Sequence, residues 1–251
     1  MDISYYDSYY RHEFSHWWFR ARRRILTALV RALVRAPLFG SKEIRLMDYG
    51  CGTGLMLDSL REFGRVDGAD IEPKALDYCR RRGHSNLVLI KNGSVLADDG
   101  SYDGVTCLDV IEHTDDDRSV CREIFRILKP GGWLLVTVPA FQMLWGLQDD
   151  VNHHRRRYCS SELIDCLKDS GFEVLKVSYF NALLFLPIAT VRISRRLFRL
   201  KPKMQSDLEM SVPPWVSSLL ERLFAMELHW LKRGSFPFGV SLLAVARKGD
   251  H

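Results

Sequence analysis

The sequence predicts an α/β domain built on a seven-stranded, mostly parallel sheet with helices on both faces. Three observations carry this reading. Short apolar runs alternate with segments of helical period between residues 44 and 180, a glycine-rich turn follows the first of those runs, and one more strand-like run returns near residue 240. A chain of 251 residues is long enough for one large domain with a buried core, or a core and a smaller subdomain.

Taken in order, Trp18, Ile25, Leu29 and Leu33 share a stripe at helical spacing, and Pro37 with Gly40 closes the segment, so residues 1–40 are expected to form an N-terminal helical cap. The core is expected over 41–180 together with 239–248. Its strands fall at 44–49, 66–69, 87–90, 102–108, 133–138 and 172–180, and its helices at 55–63, 73–82, a segment carrying Val120, Cys121, Ile124, Ile127 and Leu128, and a segment capped by Ser160 or Ser161. The fifth strand is a continuous apolar run, as expected where both sheet faces are covered. Between strand six and the last strand, 240–246, lie roughly sixty residues, too many for a simple connection, so 181–238 is expected to be a folded helical insertion. One of its helices should run over 183–200. The other should follow Pro213-Pro214, with Trp215, Leu219, Leu223, Met226 and Trp230 on one stripe.

Composition excludes several classes. The formal net charge of +5 is too mild, without a clustered stripe, to indicate nucleic acid, and no base-stacking module is visible. Six cysteines show no C-x-x-C pair and no zinc-like spacing with histidine, so no metal site is read from them and they look like reduced thiols of a cytoplasmic protein. The first residues lack the basic start and apolar run of a signal peptide. The longest apolar stretch, 179–191, is interrupted by Asn181 and Pro187 and falls short of the ~20 residues needed to span a bilayer.

The chemistry concentrates after the first strand, in Asp48-Tyr49-Gly50-Cys51-Gly52-Thr53-Gly54. Glycines there let main-chain N–H groups approach a ligand with no Cβ in the way. Asp70 ends the second strand, at the distance where a carboxylate reaches ribose hydroxyls in nucleotide-binding α/β folds. A dinucleotide site wants G-x-G-x-x-G with a pyrophosphate on the helix N-terminus. Here the spacing is G-x-G-x-G, and Asp48 would repel a pyrophosphate while suiting the cationic amino acid end of S-adenosylmethionine.

Those segments, with Gly68-Ala69-Asp70-Ile71-Glu72-Pro73, Leu108-Asp109-Val110-Ile111-Glu112-His113 and Leu128-Lys129-Pro130-Gly131-Gly132, make the chain resemble the class I S-adenosylmethionine-dependent methyltransferase family over residues 44–180, which implies a Rossmann-like fold. By that resemblance Gly50, Gly52 and Gly54 line the methionyl part, Asp70 takes the ribose, Ile71 flanks the adenine and Asp109 closes the pocket. Ser94, or Asn92, stands where the family often has an acid near the adenine amino group. Trp18, Phe19 and Arg22 match an N-terminal W-F-x-x-R pattern of the family. Arg22 sits on an apolar stripe and needs a partner, either the cofactor carboxylate or an internal acid.

On the acceptor side, His113 follows strand four at the ligand-binding edge and is a candidate base, as is His154. His154, Arg156, Arg157 and Tyr158 resemble an H-x-R-R-Y signature of one branch of these enzymes. The arginines and the tyrosine are candidates for an anionic acceptor, and the alternative is a basic loop paired with Asp149 and Asp150. Arg192, Arg195, Arg196, Arg199, Lys201 and Lys203 follow an apolar segment, which suits peripheral contact of 183–203 with an anionic membrane face or a lipid-linked acceptor; a solvated lid or a dimer contact are the other readings. The function read from the sequence is methyl transfer to a small or lipid-linked acceptor. The alternatives are a non-catalytic cofactor-binding scaffold and an NAD-dependent oxidoreductase.

Overall fold

A computed structural model of the chain describes residues 3–35, 43–198 and 212–249. Two helices come first, α1 (Ile3–His12) and α2 (Trp17–Val34). Helix α1 was not anticipated. It lies within the expected helical cap but before the one stripe read there, and its signal is the recurrence of Tyr6, Tyr9, Tyr10 and Glu13 at helical spacing. Pro37 and Gly40 lie outside the described residues.

The core then alternates. Strand β1 (Arg45–Tyr49) leads into α3 (Leu55–Leu60), β2 (Arg65–Asp70) into α4 (Pro73–Arg81), and β3 (Leu87–Leu89) follows. Strand β4 (Tyr102–Leu108) leads to α5 (Asp117–Ile127) and β5 (Leu128–Pro139). A short helix α6 (Leu147–Val151) and α7 (Ser160–Asp169) precede β6 (Phe172–Phe180). The insertion contributes α8 (Phe185–Leu197) and α9 (Pro214–Leu231), and β7 (Ser241–Lys248) ends the sheet.

The strand order is β3-β2-β1-β4-β5-β7-β6, with β7 antiparallel to both neighbours and the other pairings parallel. The order reverses between β1 and β4, the switch point beyond whose carboxyl ends ligands bind in open α/β sheets. One face of the sheet packs on α5 and α7 through Val120, Ile124, Leu163 and Leu167. The other packs on α2, α3 and α9 through Ile25, Leu60 and Phe224. Helix α9 is therefore part of a core and not only a cover. Its expected stripe faces outward: Trp215, Leu219, Met226 and Trp230 are exposed, whereas Phe224, Ala225, Glu227 and Leu231 are buried. Buried Glu227 accepts the Leu183 N–H at 2.9 Å, which fixes the start of the α8 segment against α9. No helix among the described residues is long and apolar enough to cross a membrane.

Candidate active site

A cavity of about 580 Å³ opens at the switch point. That volume is in the range of pockets that enclose drug-sized ligands. Its floor is the β1 turn and the ends of β4 and β5, one wall is α1 and α2, and α8 roofs it through Pro187, Ile188, Val191 and Arg192.

At the turn, Gly50 and Gly52 have φ of +78° and +53°. A Cβ on Gly50 would come within 2.3 Å of the Val110 side chain, so this position excludes any side chain on both backbone and packing grounds. The N–H groups of Gly50 and Cys51 donate to the Ala69 carbonyl at 2.7 and 2.9 Å, and Gly52 N–H donates to Asp70 Oδ2 at 2.8 Å. Asp70 also accepts from the Glu72 N–H at 2.9 Å; it is buried, and desolvation raises its pKa. The carboxylate thus ties the ends of β1 and β2 together.

Asp48 stands opposite Thr106 in the β1–β4 register and accepts its hydroxyl hydrogen bond at 2.6 Å. Burial, reinforced by Asp70, pushes its pKa up to about 7 against that bond. No basic side chain among the described residues pairs with it. An unneutralised buried carboxylate at the edge of a cavity is suited to a cationic group of a ligand, so the residues present fit the ammonium of an amino acid moiety.

Arg22 is buried and forms an ion pair with Asp109, while its second nitrogen donates to Thr137 Oγ1 at 2.6 Å; Trp18 lies 4.9 Å from the guanidinium. Asp109 itself is held at φ +57°. Arg22 therefore has an internal partner, and both groups of the pair also line the cavity. Helix α1 reaches the same corner. Glu13 accepts from Thr53 Oγ1 at 2.7 Å and pairs with Arg82, both partners of that ion pair being buried. Tyr6 lines the cavity, and burial and the nearby Asp70 both hold its hydroxyl proton on.

Gly54, Asp70, Ile71 and Ser94 lie outside the cavity lining. Ile71 is 72% exposed, and Ser94 is exposed in a tight turn in which Lys91 and Ser94 exchange backbone hydrogen bonds. The H-x-R-R-Y run divides. His154 and Arg157 line the cavity, and Arg157 is buried with Nε on Asp149 at 2.9 Å and Nη1 on the Ala140 carbonyl at 2.6 Å. Arg156 and Tyr158 turn away to Asp117 at the start of α5, the tyrosine hydroxyl donating to it at 2.7 Å.

His113 and His154 meet edge to face with ring centroids 4.7 Å apart. Burial, with the neighbouring His154, pushes the His113 pKa down to about 4. His154 Nδ1 is 2.9 Å from Asp149 Oδ1. Beneath them Glu112 is fully buried, and neither of its oxygens has a hydrogen-bond partner. Sequence reasoning quoted Glu112 within a motif and assigned it no chemistry. Its adjacency to His113 was the available signal.

A family profile described as a methyltransferase domain matches residues 14–177. The chain belongs to the methyltransferase domain family. This methyltransferase-domain chain is 36% identical over 107 residues to a ubiquinone biosynthesis O-methyltransferase of Thiobacillus denitrificans, covering 40% of the chain and 45% of that protein. It is 29% identical over 182 residues to the Idiomarina loihiensis protein of the same description, covering 63% and 71%. The match thus spans less than half the length of the Thiobacillus protein. Among solved structures, an S-adenosylmethionine-dependent methyltransferase from Archaeoglobus fulgidus superposes with a TM-score of 0.55 at 20% identity, covering 90% of this chain and 94% of the other. One from Mesorhizobium loti gives 0.52 at 17%, covering 86% and 96%. At these identities the structural likeness establishes the fold: a Rossmann-like methyltransferase sheet with an antiparallel seventh strand.

Proposed function

We propose that this protein binds S-adenosylmethionine and methylates a small organic acceptor, with an oxygen of that acceptor as the methyl-receiving atom. The observation that carries the reading is that Asp48, Gly50 and Gly52 open into the same cavity as His113 and His154. The O-methyltransferase relatives support oxygen as the atom methylated.

The cofactor supplies an electrophilic methyl group when bound. Asp48 would hold its ammonium, Gly50 and Gly52 would meet it with backbone, and Asp70 would accept from the ribose. Gly54, Ile71 and Ser94 would complete the adenosine end. The Arg22–Asp109 pair would bound the methionyl end. His113 and His154 would receive an acceptor hydroxyl, and Arg157 would position His154 through Asp149. Residues 1–40 would serve as cap and 181–238 as roof. Leu186, Leu197 and Trp215, each at least 70% exposed, support a lipid-linked acceptor drawn from a membrane face.

Calorimetric titration with S-adenosylhomocysteine and with NAD(H) tests the cofactor. Binding of the first is expected, and Asp70→Ala should weaken it about tenfold or more, about 1.4 kcal/mol. Binding of NAD(H) with none of S-adenosylhomocysteine would overturn the reading. Labelled cofactor offered with phenolic acceptors then separates an enzyme from a scaffold, which would yield no labelled product.

A further inference from the structure

Glu112, His113 and His154 converge in the lining of the same cavity. One candidate ligand atom from each lies within 4.8 Å of the other two. The spacing in sequence conceals this, since His154 arrives from the segment after α6 while the other two follow β4. Glu112 is wholly buried and both of its oxygens lack a partner, as does Nε2 of His154, which lies 4.0 Å from Glu112 Oε1. A carboxyl group stripped of water with neither oxygen satisfied is costly to ionise; burial pushes the Glu112 pKa well up, and such a group keeps its proton until a cation pairs with it or a metal binds it.

The surrounding shell fits a metal as well. Asp149 sits 2.9 Å from His154 Nδ1, which places that ring's proton on Nδ1 and leaves the Nε2 lone pair facing Glu112. Asp149 is fixed in turn by Arg157 and by the Gly146 N–H at 2.8 Å. A carboxylate behind a histidine, orienting the ring and raising its basicity, is the usual outer shell of a metal-binding imidazole. All three side chains line the cavity, so a cation held by them would keep an open side toward whatever occupies it.

We propose that Glu112, His113 and His154 form a binding site for a divalent cation, with the cavity-facing coordination position left for an oxygen of the acceptor. Two imidazoles and one carboxylate favour borderline ions such as zinc or cobalt over magnesium and calcium, which prefer oxygen donors. Three protein ligands with a vacant position are the pattern of catalytic rather than structural zinc. A hydroxyl that ligates such an ion loses its proton to solvent near neutrality, so the site would present an acceptor oxygen as its anion. That role rests on the methyltransferase reading; the cation site itself does not.

The test is titration of the chelator-stripped, tag-free chain with Co2+, followed by visible absorption. One equivalent is expected to bind with the spectrum of a site having nitrogen and oxygen donors, and Zn2+ should displace it and raise the melting temperature. Glu112→Gln and His154→Ala should each weaken binding about tenfold or more, while His84→Ala, outside the cavity, should leave it unchanged. Retained S-adenosylhomocysteine binding and cooperative melting in the variants confirm that they are folded. Equal Co2+ affinity in Glu112→Gln and the parent chain would overturn the proposal, as would no absorption and no Zn2+ shift in the parent chain. S-adenosylhomocysteine binding without Co2+ uptake would remove the cation site and keep the proposed function; the converse result would do the reverse.

Discussion

Asp48 shows how one side chain can cost stability in the empty protein and serve binding. Its pKa in the folded protein, about 7, lies above its ordinary 3.8, so the native state keeps a proton that the unfolded chain has already released. Stability therefore falls as pH climbs from roughly 4 to roughly 7. An ammonium ligand reverses the preference by binding the ionised form, so affinity for S-adenosylhomocysteine is expected to rise from pH 6 to pH 8 and flatten above it. Asp48→Asn should abolish that rise, weaken binding and raise the melting temperature of the empty protein at pH 8. Calorimetry across that range and a thermal melt check both; an unchanged pH profile in the variant would remove Asp48 from the site. The character of Asp48 was legible in sequence because it follows from its neighbours along one strand. Glu112 was not, because its burial depends on segments that meet only in the folded chain, whereas the pairing of Arg157 with Asp149 is the alternative that the sequence offered. Arg157, expected among acceptor-binding residues, is held by Asp149 and a carbonyl.

At the scale of elements, α1 is clasped to the cofactor turn by a small polar cluster. Glu13 satisfies the Thr53 hydroxyl and the buried Arg82, and Asp7 bonds Tyr78 and Lys74 on α4. Glu13→Ala leaves a guanidinium buried without its main partner, which should cost about 3 kcal/mol. The expected readouts are a lower melting temperature and faster proteolysis near residue 12, together with weaker S-adenosylhomocysteine binding. A variant that melts like the parent would show the clasp to be dispensable. Most strands were readable from periodicity to within a residue or two at each end, but β5 begins at Leu128, five residues before the expected 133, so Leu128, expected on the helix, belongs to the strand. Helix α1 was missed because its aromatic face is half covered by tyrosines, whose hydroxyls make the segment look polar. The outward stripe of α9 has a related cause. Its helical period is real, but period alone does not say which of two apolar faces packs on α2.

For the whole molecule, α8 and α9 expose Leu186, Leu197, Phe198 and Trp215, and Arg195 and Arg196 lie exposed in the last turn of α8. Arg199, Lys201 and Lys203, which completed the basic run in the sequence, lie outside the described residues. Co-sedimentation with phosphatidylglycerol vesicles is expected, reduced by high salt and by Leu186→Ser with Trp215→Ser, and absent with phosphatidylcholine. Equal behaviour with both lipids would count against a membrane face, and a concentration-dependent dimer in light scattering would assign the patch to self-association. The parallel half of the fold was evident in sequence because each strand and helix announces itself locally. The cavity was not, since its wall is drawn from α1, α2, the β1 turn, the His113 and His154 segments, α8 and the start of β7.

That last contribution bears on how the protein is made. Strand β7 threads between β5 and β6, and Val240 and Ser241 at its start face the cavity. Until β7 has emerged from the ribosome and paired, β5 has a bare edge from Leu134 to Val138 and β6 lacks its sheet neighbour. A nascent or prematurely terminated chain would thus carry nearly all the ligand-binding groups and yet be prone to sticking to its own kind.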